Sequence, residues 1–172
     1  LLISSFIRLQ QVKLGFEPQQ LFASNLELSP RQYPDEAARV ARIKQFQERV
    51  AAVPGVTGVA VTTGTSFPYL NFTFNRVNNP LPTDENALYD AISANYFQVM
   101  QTPLIAGRAF SELDQGQTPP VAIINETLAH RYFADADPLN QVITVNYLGG
   151  KHRRQIVGIV RDHVQGELTK IQ

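Results

Sequence analysis

The chain has 172 residues, of which 15 are basic and 15 acidic, so its formal net charge at pH 7 is zero; 44% are hydrophobic and 17% charged. This length suits one domain or two small lobes and lets about 70% of the unfolded surface be buried without a disulfide or metal staple. A nucleic-acid binder carries a basic excess, which is absent here, and the lack of cysteine excludes disulfides, thiolate metal sites and thiol nucleophiles.

Near-zero charge also gives little colloidal protection, as suits a tethered domain. A start at Leu1 rather than Met is expected of a fragment. No run reaches the roughly 18 apolar residues that span a bilayer, and no complete signal peptide is present. Leu1 to Val12 reads as helix, with Leu2, Phe6 and Leu9 at helical spacing. Two readings are open for it: a fraying amphipathic helix, or the end of a transmembrane helix leaving the bilayer. Gly15-Phe16-Glu17-Pro18 breaks it.

Leu21 to Leu28 is predicted as a strand, with Leu26 and Leu28 alternating against Asn25 and Glu27. Pro34, Asp35 and Glu36 open a helix that runs to about Val53, with Ile43, Phe46, Val50 and Val53 on one stripe, until Pro54-Gly55 stops it. Val56 to Thr63 follows as a strand. This is a β-α-β unit, its strands placed in one sheet by a right-handed crossover. After a loop from Gly64 to Tyr69, Phe72, Phe74 and Val77 mark another strand; Asn78 to Glu85 is a solvated loop, and Ala87 to Ser93 returns as strand. Asn95 to Met100 is a short helix capped by Ser93 or Asn95.

Leu104 to Phe110 is extended and leads into a turn at Ser111 to Asp114. Val121-Ala122-Ile123-Ile124 is apolar enough for a strand buried on both faces. Asn125 caps the next helix, Glu126 to Phe133, which Asp135 to Pro138 ends. Val142 to Tyr147 and Arg153 to Val160 then form a hairpin about Gly149-Gly150.

Catalytic templates find no match. His130, His152 and His163 show no ligand spacing. Asp114, Asp135 and Asp137 lack the oxygen ladder of a calcium loop. Gly64-Thr65-Ser66 has Pro68 where a nucleophile elbow needs its second Gly, and Gly149-Gly150 opens no phosphate loop. Asn71-Phe72-Thr73 and Asn125-Glu126-Thr127 match the glycosylation pattern, but two matches in this length are expected by chance. One cluster stands out: Phe67, Tyr69, Phe72 and Phe74. Its alternation fits the buried face of a sheet, and exposed aromatics would instead mark a patch for a partner or lipid.

Several short phrases occur in a fixed order: Leu14-Gly15-Phe16, Tyr33-Pro34, Val53-Pro54-Gly55-Val56, Asn95-Tyr96-Phe97, Leu104-Ile105-Ala106-Gly107-Arg108, Val121 to Glu126 and Ile156 to Val160. Together they resemble the extracytoplasmic core domain of MacB/FtsX-like ABC transporter permeases, of the duplicated type. The resemblance implies an α+β fold in two lobes, a β-α-β porter-like lobe at residues 18–93 and a smaller β-rich Sabre-like lobe at 94–162. Residues 1–17 would be the end of a transmembrane helix with its linker, and 163–172 a tail. In the family a second β-α-β unit completes the first lobe; without it the sheet would keep an open edge that favours dimerisation or strand swapping. Gly107 and Gly158 would allow close backbone approach or a bulge, and Tyr96, Phe97, Tyr132 and Phe133 would anchor short helices to sheets.

The resemblance also implies a function. The segment would be a non-catalytic, cofactor-free periplasmic part of a permease anchored in the bacterial inner membrane. It would rock as a rigid body to transmit ATP-driven motion to export or extraction of a substrate. Its partners would be a cognate ABC ATPase, a second permease copy and a periplasmic adaptor, with no nucleic acid. The alternative is a free-standing periplasmic ligand-binding or chaperone-like domain, which needs a concave apolar site and has the aromatic cluster as its support. An enzyme is disfavoured, since no nucleophile-base pair or metal set emerges.

Overall fold

The computed structural model describes residues 21–29, 31–33, 35–63, 71–114, 118–147 and 150–162. Within them the chain runs α1 (Glu36–Ala51), β1 (Asn71–Arg76), β2 (Glu85–Leu88), α2 (Tyr96–Val99), β3 (Leu104–Gly107), a 3-10 turn (Glu112–Asp114), β4 (Val121–Asn125), α3 (Glu126–Tyr132), β5 (Val142–Tyr147) and β6 (Gly150–Val160). The expected Leu1 to Val12 helix, the loop with Phe67 and Tyr69, His163 and the tail lie outside these residues.

All six strands form one sheet, and β6 is its hub. It pairs antiparallel with β5 from Gly150 to Gln155, and farther along it takes β3 antiparallel and β4 parallel. The β5–β6 hairpin forms where Gly residues and period-2 alternation predict it. On β5, Ile143 and Val145 point into the core between Thr144 and Asn146. β1 adds to the other edge of β5, setting Phe74 opposite Val145, and β2 closes that side against β1. Phe74, Ile124, Phe133, Ile143, Val145 and Ile156 make the core, with α3 folded back over it. The Val121–Asn125 strand, expected to be buried on both faces, is half-buried on both, with Ile124 alone fully covered.

Three predicted strands differ. Leu21 to Leu28 carries no strand pairing, and Phe22 is 92% exposed. Val56 to Thr63 contributes a single bridge, Thr62 to Ile92. Alternation supplies a face, but a strand needs a hydrogen-bonded neighbour along its length, and among the described residues neither segment has one; the two do not pair as a β-α-β unit there. The strand expected at Ala87 to Ser93 starts earlier, at Glu85. Asn75 fixes that register: its side chain accepts from Leu81 N at 2.8 Å and donates to Asp84 at 2.8 Å, folding the loop so that Glu85 meets Phe74. β1 and β2, which lie before the boundary expected at Ser93/Ala94, hydrogen-bond into the sheet made by the later strands.

Candidate functional site

The aromatic candidates come first. Phe74 is 2% exposed and meets Tyr132 edge-on at 5.0 Å. Phe72 is half-buried against the core and packs edge-on with Tyr89 at 5.1 Å. The alternating positions on β1 therefore serve the buried face of the sheet, and Phe74 offers no surface to a partner. Phe67 and Tyr69 lie outside the described residues. Tyr96 and Phe133 are buried too, and Tyr132 packs partly buried on the core.

Arg76, next in the same alternation, was not singled out by sequence reasoning. Its side chain is 9% exposed. Nη1 donates to the carbonyl of Tyr132 at 2.9 Å and to Asp135 at 2.8 Å, and the guanidinium lies 5.6 Å from the centre of the Phe133 ring. Asn79 donates to the other Asp135 oxygen at 2.7 Å. The hydrogen bond from Arg76 holds the Asp135 carboxyl below the usual carboxylate range.

Beside it lies a half-open cleft of about 200 Å³ lined by Asn75, Pro80, Asp84, Thr144, Asn146 and Lys151 together with Arg76. Asp84 accepts from Asn75 and from Asn146, each at 2.8 Å. The Asn75 bond, seconded by Asn146 and the Lys151 charge, lowers its pKa despite the opposing desolvation. This is a carboxylate held by amides, with no nucleophile among its partners. Among the described residues no three His, Asp or Glu side chains come close enough to hold a metal ion. His130 is 81% exposed on α3, 3.9 Å from Glu126.

Two further clusters shape turns. Arg108 grips Asp114 through both carboxylate oxygens at 2.7 Å, and Asp114 also accepts from Ser111 N, so its carboxyl stays well below the usual range, chiefly through the Arg108 bond. Asp162 accepts from Asn125, Thr127 N and the Thr127 hydroxyl. Each of these arrangements ties one part of the chain to another.

Comparison with known proteins places the chain. A family model described as the MacB-like periplasmic core domain matches residues 5–171. Over 81 residues, 46% of the chain, it is 35% identical to a protein of Pseudomonas syringae pv. tomato named a probable syringafactin export ATP-binding/permease protein, SyfD. It is 36% identical over a stretch of the same length to a probable export ATP-binding/permease protein of Pseudomonas fluorescens. The aligned stretch spans 12% of each relative. The periplasmic region of MacB from Actinobacillus actinomycetemcomitans superposes with a TM-score of 0.52 at 21% identity, over 69% of this chain and 50% of that one. The extracellular domain of the noncanonic ABC-type transporter YknZ from Gram-positive bacteria gives 0.53 at 17% identity, over 71% and 58%. At such identities the likeness is one of fold. Among the described residues no helix is long and apolar enough to cross a membrane.

Proposed function

The chain belongs to the family of MacB-like periplasmic core domains, and on that premise we propose that it transmits ATP-driven motion within an ABC transporter permease of the bacterial inner membrane. The observation that carries the reading is the family match from residue 5 to residue 171. The shared fold with the MacB and YknZ outer domains supports it, as do the names of the relatives, which join ATP binding to export. In this reading the domain stands in the periplasm and does no chemistry, and it takes no cofactor. A cognate ABC ATPase hydrolyses ATP on the cytoplasmic side, a second permease copy completes the transporter, and a periplasmic adaptor receives or guides the substrate. The free-standing binder loses its support in Phe74, whose ring is in the core.

The absence of cysteine makes the topology directly testable. His130 is 81% exposed on the outer surface of α3, so His130→Cys in the parent protein, with cysteines outside this segment replaced, introduces one reactive thiol without touching the core. The expected result is labelling by a membrane-impermeant maleimide from the periplasmic side of intact inner membranes, with the protein in the membrane pellet. Labelling only after the inner membrane is opened would exclude the reading. A labelled but soluble protein would favour the free periplasmic binder.

A further inference from the structure

Among the described residues, α1 stands apart from the six-stranded sheet. No described side chain of α1 is fully buried, and its stripe of Ile43, Phe46 and Val50 is half-buried. Val40 on the helix and Val53 just beyond it are 53% and 52% exposed. Among the described residues the helix makes no extended contact with any strand or with α2 or α3. Among the described residues, bonds that tie this unit to the sheet gather where Gly58 to Thr63 runs beside Asp90 to Val99. Thr63 N donates to the Ala91 carbonyl at 3.0 Å and Ser93 N to the Val61 carbonyl at 2.9 Å, flanking the Thr62–Ile92 bridge. Ser93 Oγ accepts from Val61 N at 3.0 Å, and Asn95 Nδ2 donates to the Val59 carbonyl at 3.0 Å. One carboxylate, Asp90, collects the Thr62 hydroxyl, Thr63 N at 3.0 Å and the Thr63 hydroxyl at 2.8 Å. Gly58 sits so close to α2 that a Cβ there would lie 2.9 Å from Val99 Cγ2.

This attachment is unlike that of the strands. They are held by ladders and a shared apolar core, which opens only when large buried area is exposed. The joint is a few directional, half-exposed hydrogen bonds that water can replace one for one. We infer that Gly58–Thr63 and Asp90–Val99 form a hinge, latched by Asp90, about which the α1 unit moves relative to the six-stranded sheet. The domain is then two parts rather than one rigid body. The use of this movement in transport rests on the function proposed above, whereas the hinge belongs to the fold and is tested without transport, so the two can fail separately.

The test is amide hydrogen exchange on the 172-residue chain and its Asp90→Ala variant. The amides of 56–63 and of α1 should exchange at least tenfold faster in the variant, while β5 and β6 keep their protection. Equal acceleration in β5 and β6 overturns the hinge, because Asp90 then supports the whole fold. No acceleration in 56–63 also overturns it. A second measurement does not depend on removing Asp90. The hydrogen bonds flanking Thr62 and Ile92 make them a non-hydrogen-bonded pair, a spacing that accepts a disulfide. In Thr62→Cys with Ile92→Cys, oxidation should slow exchange in 56–63 below the wild-type rate and reduction should restore it. Exchange that ignores the cross-link means the joint does not open.

Discussion

Gly107 and Gly158 are partners across β3 and β6, and the backbones there come too close for any side chain. A Cβ on Gly107 would lie 2.2 Å from the Val157 carbonyl oxygen, and one on Gly158 would lie 2.4 Å from that of Arg108. Gly107 also has φ +74°, where an L-residue is strained. Gly158→Ala should therefore destabilise the chain by about 2 kcal/mol or more, since neither carbonyl can move without parting the strands, and Gly107→Ala should do more. Gly55 supplies the control: its φ is +90°, but nothing lies within 4 Å of its missing Cβ, so Gly55→Ala carries only the strain of about 1 kcal/mol. Urea midpoints at constant m-value would rank the three; equal shifts at Gly55 and Gly158 would refute the close-approach account. The need for small residues at 107 and 158 was legible in the sequence, but their facing each other was not. Arg76 was wholly illegible. A lone arginine beside a loop reads as solvated, and the Tyr132 carbonyl and Asp135 that receive it come from a distant helix and the turn after it.

At the scale of elements, α3 depends on its first turn. It has seven residues, too few for a helix to hold in isolation, and two side chains organise its start. Asn125 Oδ1 accepts from Leu128 N at 3.2 Å, while its Nδ2 donates to Asp162 at 2.6 Å, and Asp162 takes Thr127 N at 3.0 Å. Asn125→Ala should cost about 1 kcal/mol in urea unfolding, and Asn125→Asp, which keeps the acceptor but sets two carboxylates together, should not restore the wild-type midpoint. The cap was readable, because an Asn between an apolar strand and a helical stripe is a local signal, and it accounts for one of the two apparent glycosylation sites. The start of α1 was readable too: Asp35, one of the carboxylates expected at its positive end, caps the helix by accepting from Ala38 N at 2.6 Å. The strands at Leu21 to Leu28 and Val56 to Thr63 went astray for the opposite reason, since their pattern was local and the neighbour they needed was not.

At the scale of the molecule, Asp84 and Asp135 join parts that are remote in sequence while Asp114 ties a local turn, and together these carboxylates set the response to acid. Asp84, Asp114 and Asp135 are each held below the ordinary value of 3.8, first by their bonds to Asn75, Arg108 and Arg76 respectively. The unfolded chain therefore binds protons before the folded one as pH falls. Stability from these groups is complete above the unfolded value of about 4 and declines below it. Melting temperatures should be level from pH 7 to 5 and fall below pH 4, with a shallower fall in Asp135→Asn; a decline already under way at neutral pH would point to other groups. By itself the sequence determined what depends on near neighbours: the β5–β6 hairpin, the capped α3, the short α2, and the ordered phrases that identify the family. Only the tertiary structure decided which strands share a sheet, that β1 and β2 join the later strands across the expected lobe boundary, that Arg76 is buried, and that Asp90 gathers the threonines before the sheet. Periodicity assigns a residue to a face from the few residues around it, whereas a hydrogen-bond partner is chosen by the fold as a whole.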